Sequence, residues 1–111
     1  MAEVNDKLFI HIDDDPLIRY TWEQQAISHD INIRSFSNFE NARQEIVDLP
    51  LEAYFFIDQD LGEGHKKGDQ SLLELYELGY RNLFLTTGHS KEDFESSKFK
   101  VLGKDFPKIH L

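Results

Sequence analysis

Short apolar runs alternate with longer amphipathic stretches along the whole chain. Leu8-Phe9-Ile10-His11-Ile12 and Tyr54-Phe55-Phe56-Ile57 are continuous runs rich in branched and aromatic side chains, as in strands buried on both faces. Ile31-Asn32-Ile33-Arg34 alternates as a short strand would, and Leu83-Phe84-Leu85 predicts a fourth. Val101–Lys108 contains a weaker last strand, with Pro107 arguing for an edge position. Between these runs, Pro16–Ser28 carries Ile18, Trp22 and Ala26 at helical spacing, with Leu17 and Ile27 widening the stripe. Pro16 suits a first helical turn. Ser37-Asn38-Phe39-Glu40 reads as a capping box ahead of Phe39, Ala42, Ile46 and Leu49, and Pro50 closes that helix. Asp69–Leu78 predicts a third helix with Leu72, Leu75 and Tyr76 inward, stopped by Gly79. Ser90 is placed to cap a short helix running to about Ser97 and supported by Phe94.

Strands separated by helical crossovers imply an α/β domain with a parallel sheet covered on both faces. In such open sheets, ligands bind outside the carboxyl ends of the strands. That edge is where the acids collect. The first strand stops at Asp13-Asp14-Asp15 and the third at Asp58. Carboxylates brought together repel unless a cation, a proton or a basic side chain compensates them. A hard divalent ion with oxygen ligands is the simplest resolution, and Mg²⁺ is common where phosphate is handled. Thr86, Thr87 and Lys108 fall at the same edge. Asp15 suits a helix N-cap.

Composition narrows the picture. The 111 residues fit one domain, and a net charge of -9, from 21 acids against 12 bases, argues against nucleic-acid binding. It favours metal ions or basic partner surfaces. No cysteine is present, which fits a reducing compartment, and no apolar run approaches the ~20 residues that span a bilayer. The expectation is a soluble, cytoplasmic protein with no membrane contact.

Leu8–Arg19, "LFIHIDDDPLIR", resembles the opening of the response-regulator receiver domains of two-component signalling (the CheY-like superfamily). "YFFIDQDL", "LFLTTGH" and "DFPK" follow in the order of that family, so the likeness runs over roughly Lys7–Lys108 and makes residues 1–111 a single receiver domain. It implies a doubly wound, flavodoxin-like five-stranded parallel sheet in the order 2-1-3-4-5. By position it makes Asp58 the phosphoacceptor. Asp14 would hold Mg²⁺ directly and Asp13 mainly through water, with Asp60 adding its backbone carbonyl. Thr87, favoured over Thr86 because Gly88 follows it, would hydrogen-bond the phosphoryl group, and Lys108 would pair with it. The donor would be a histidine kinase or phosphotransfer protein. A phosphoryl group adds about -1.5 to -2 charges, enough to switch a surface toward a downstream protein target. The only reaction implied is Mg²⁺-dependent self-phosphorylation and dephosphorylation, in a stand-alone regulator or in part of a hybrid kinase.

Several residues depart from the family pattern. Gly62 stands where a proline is usual, and the loop through Glu63-Gly64-His65-Lys66-Lys67 is about two residues longer. Lys108 is followed by Ile109 rather than proline, and Asp105 occupies the position of an aromatic switch residue. The sequence ends at Leu111, just past the fifth strand, where receivers continue into a fifth helix. One sheet face is then expected to be partly uncovered, inviting a partner or a dimer. An alternative reading is a pseudo-receiver that is never phosphorylated and acts as a protein–protein interaction module. A third, an aspartate-nucleophile phosphatase prompted by Asp58-Gln59-Asp60, fits poorly because the chain is too short for a substrate cap. His11 reads as a packed strand histidine, and His65 and His89 as solvated loop residues.

Overall fold

The structure, a computed structural model, describes residues 7–88, 91–94 and 96–107. Five strands, β1 (Leu8–Ile12), β2 (Asn32–Phe36), β3 (Tyr54–Asp58), β4 (Asn82–Thr86) and β5 (Lys100–Leu102), form one parallel sheet in the order 2-1-3-4-5. The helices α1 (Pro16–Ser28), α2 (Phe39–Ile46) and α3 (Gly68–Glu77) cross between them, and Lys91–Phe94 form one 3-10 turn. This is the doubly wound, flavodoxin-like arrangement. Among the described residues no helix follows β5.

Side-chain alternation along the strands makes two unequal cores. Ile10, Ile12, Phe55, Ile57, Leu83 and Leu85 face α2 and α3, where Phe39, Ala42, Ile46, Leu72 and Leu75 complete a fully buried cluster. On the opposite face the buried apolar cluster is smaller, Phe9, Phe56 and Trp22, with Tyr54, Phe84, Leu102 and Phe106 packing against it half-buried. Leu17 and Ile27, expected to widen the α1 stripe, are 69% exposed. The expectation of a partly uncovered face therefore has a location: beside α1, over β3–β5.

Helix boundaries follow local hydrogen-bonding chemistry. Asp15 caps α1, its carboxylate accepting from the Leu17 N–H at 2.9 Å. The cap of α2 is Asn38 rather than Ser37, with Asn38 Oδ1 accepting from Asn41 N–H at 2.8 Å. Glu40 is released from the expected capping box and instead meets His65 and the Lys66 N–H. His65 is an exposed loop residue, as expected, with its Nδ1 3.2 Å from the Glu40 carboxylate. α2 ends at Ile46, earlier than Pro50 would require. β5 ends at Leu102, well short of Lys108, because Gly103 and the turn at Lys104-Asp105 interrupt it. Ser90, His89 and Lys108 lie outside the described residues.

Candidate functional site

β1 and β3 are hydrogen-bonded neighbours in register, Ile12 opposite Ile57. The residues just beyond Ile12 and at the end of β3 must therefore meet. Asp13, Asp14 and Asp58 each offer a carboxylate oxygen, and these oxygens all lie within 4.8 Å of one another. Asp13 and Asp58 are buried and Asp14 is exposed, so the group has a closed floor and an open side.

The two buried acids are anchored differently. Asp13 Oδ1 accepts from the Asp15 N–H at 2.9 Å, a local turn that aims its other oxygen inward. Arg19 Nη1 donates to the Asp13 carbonyl at 2.7 Å, tying α1 to the acidic corner. Asp58 is the last residue of β3, opposite Thr86 in β4. Its main chain lies under Gly68, where a Cβ would come within 2.2 Å of the Asp58 carbonyl oxygen. Gln59 completes the anchor: its carbonyl accepts from Gly68 N–H at 3.0 Å and its Oε1 from Asp69 N–H at 2.9 Å.

The compensating cation is Lys104. Its Nζ lies 3.1 Å from Asp58 Oδ2 and 3.7 Å from Asp13 Oδ2. The resemblance assigned this place to Lys108; the structure puts Lys104 there, two residues past the end of β5. The cue was present in Val101-Leu102-Gly103-Lys104, an apolar pair, a breaker and a cation, but Pro107 drew the predicted strand too far along. With Lys104 in that place, the residue three positions before the lysine is Val101, not Asp105.

One ammonium does not satisfy three carboxylates. Asp13 Oδ2 and Asp58 Oδ2 are buried with no well-directed hydrogen bond, so Lys104 acts on them as a nearby charge. Burial pushes Asp58 up to about 6, the Asp13 charge adds to this, and Lys104 opposes it. Asp13 is also raised, by burial first, against its bond from Asp15 and the charge of Lys104. Orphaned buried oxygens from a three-carboxylate cluster fit a hard divalent cation, which would coordinate them in place of a proton. Asp60 stands apart from the cluster; its carboxylate is exposed and pairs with Lys67 at 3.4 Å.

The loop after β3 borders the open side. Gly62 has φ +100°, a left-handed conformation that suits glycine, and a Cβ there would point toward His65 and the Asp14 carboxylate. On the β4 side, Thr86 is buried with its hydroxyl unpartnered. Thr87 is the first residue past the strand, and its N–H donates to the Leu102 carbonyl at 3.0 Å. Thr86 thus stands across the β3–β4 register from Asp58, and Thr87 follows it in the chain.

No protein-family model matches the sequence, and no curated protein matches it either. Solved structures do match. The chain is similar to a CheY-like response-regulator receiver domain protein from Methanospirillum hungatei, with TM-score 0.64 and 15% identity over 87% of this chain and 82% of that one. It is similar to a response regulator from Burkholderia pseudomallei solved with a phosphorylated aspartic acid and a calcium ion, with TM-score 0.61 and 21% identity over 86% of this chain and 59% of the other. It also matches RcsB from Salmonella enterica bound to a promoter in the presence of a phosphomimetic, at TM-score 0.66 and 12% identity over 87% of this chain. The chain spans 53% of that RcsB chain. Its fold is that of response-regulator receiver domains.

Proposed function

We propose that this domain accepts a phosphoryl group on Asp58 in a Mg²⁺-dependent phosphorelay reaction and thereby switches a protein-interaction surface. The observation that carries this reading is the closure of three carboxylates, from two separated stretches of chain, around two unsatisfied buried oxygens with one lysine beside them. Asp13, Asp14 and Asp58 are the residues that would hold Mg²⁺, with the Asp60 carbonyl as a further donor. The ion would neutralise the attacking carboxylate and the phosphoryl oxygens that otherwise repel it.

The residues of the chain account for the rest. An Asp58 carboxylate oxygen forms a bond to phosphorus, while the bond from phosphorus to its carrier breaks. The carrier, a phosphohistidine of a kinase or phosphotransfer protein, departs as imidazole. Lys104 supplies a point charge to the incoming oxygens and becomes their counter-ion once Asp58 carries the acyl phosphate. Thr87, with Thr86 beside it, offers a hydroxyl to the new group. The repacking of the β4 end would carry the change toward a downstream protein target. The half-exposed Tyr54, Phe84 and Leu102 give the alternative, a pseudo-receiver used for binding, a surface of its own.

Intact-mass measurement after incubation with acetyl phosphate and Mg²⁺ tests the proposal. One added phosphoryl group on the wild type, absent in Asp58→Asn and without Mg²⁺, is expected. An unlabelled wild type would leave only the binding-module reading.

A further inference from the structure

Lys104 has little to hold it locally. It follows Gly103, where a side chain would meet open space. β5 ends two residues earlier. Yet its ammonium has to stay beside Asp58.

The missing constraint comes from α1, more than eighty residues earlier in the chain. Trp22 Nε1 donates to the Lys104 carbonyl at 2.9 Å, across a sequence separation of 82 residues. The indole is itself immobilised. It is 1% exposed, stacks on His11 at 4.0 Å and 8°, and meets Phe56 and Phe106 with ring centroids 5.2 Å away. Three residues before Trp22, and so on the same helical face, Arg19 donates to the Asp13 carbonyl. Two adjacent side chains of one helix therefore grip the main chain on both sides of the acidic cluster. One grips the strand end that carries Asp13, the other the turn that carries Lys104.

We propose that Trp22 is a positioning residue for Lys104, and that α1 acts as a brace fixing the distance between the lysine and the buried acids. This rests on the phosphoacceptor reading only for its effect on reaction rate; the placement of Lys104 stands on geometry. The chain has a single tryptophan, so replacing it biosynthetically with β-(3-benzothienyl)alanine removes one N–H donor while keeping the ring outline. The Trp22→Phe variant gives the same loss by mutation.

The test compares the Lys104 side-chain NMR signal, identified by its absence in Lys104→Arg, between wild type and the analogue-labelled protein. The signal is expected to move toward those of solvated lysines, as is also expected in Asp58→Asn. Labelling by acetyl phosphate with Mg²⁺ is expected to slow roughly five- to tenfold, the worth of one lost hydrogen bond, and to slow no further in a Lys104→Met background. An unmoved Lys104 signal, or an equal slowing with and without the lysine, would overturn the positioning role. A moved signal in a protein whose wild type takes no phosphoryl group would keep the brace and remove the phosphoacceptor reading.

Discussion

The two faces of the sheet are built from the same strands, one residue out of phase, yet they differ in kind. The α2–α3 face is a closed apolar core, with Phe55, Ile57, Leu72, Leu75 and Leu85 fully buried. The α1 face is shared between aromatic packing and unpartnered polar groups: the ring nitrogens of His11 and the hydroxyls of Ser35 and Thr86 are buried there without a hydrogen bond. His11 and Ser35 lie opposite each other in the β1–β2 register, and Asp58 lies opposite Thr86. Unpaired buried polar groups cost stability. One face thus holds the fold together, and the other gives up stability to carry the site.

The sharpest way to break this contrast is truncation on each face. Phe55→Ala is expected to destabilise by about 3–5 kcal/mol and the half-buried Phe84→Ala by about 1–2 kcal/mol, read from urea midpoints. Equal losses would remove the distinction. Gly68→Ala comes next, because its methyl would press on the Asp58 carbonyl; about 3 kcal/mol is expected, against little change for Gly88→Ala, where a side chain meets open space.

The pH dependence of stability separates the faces further. Burial holds His11 down to about 3 from its ordinary 6.5, so the unfolded chain takes up a proton that the native state refuses. Its contribution is complete above about 6.5 and is lost as pH falls toward 3, about 2 kcal/mol by pH 5. Asp58 works in the opposite sense. Raised to about 6 from 3.8, it favours the native state below 3.8, and that contribution is lost as pH rises through 6. His11→Phe should therefore reverse the acid limb of the stability profile measured between pH 7.5 and 5.

The smallest effect sharpens the site itself. Asp58→Asn should stabilise the metal-free protein at pH 7.5 by about 1–2 kcal/mol, since it removes a buried charge. Added Mg²⁺ should raise the thermal midpoint of the wild type and leave that of Asp58→Asn nearly unchanged. A midpoint indifferent to Mg²⁺ in both would count against an ion at this cluster.

Much of this was legible before any coordinates. β1 and α1 fall where the apolar run, Asp15 and Pro16 place them, because those signals are local and agree. The α2 cap falls one residue later than the Ser37 box predicts, because Ser37 and Asn38 both can cap and only the competing partners of Glu40 decide between them. Trp22 looked like plain core: nothing in its neighbourhood of sequence shows that its N–H reaches Lys104.

By itself the sequence determined where the first four strands lie, and that acids end two of them, since hydrophobic periodicity and a charged terminus are properties of adjacent residues. Gly103-Lys104 hinted at where the last strand stops, but that Lys104 faces Asp58 was decided only in three dimensions. β5 is three residues long, and the turn that follows it is set by a carbonyl gripped from α1 and by Phe106 packing on Trp22. Those contacts join residues far apart in the chain, and no local pattern encodes them.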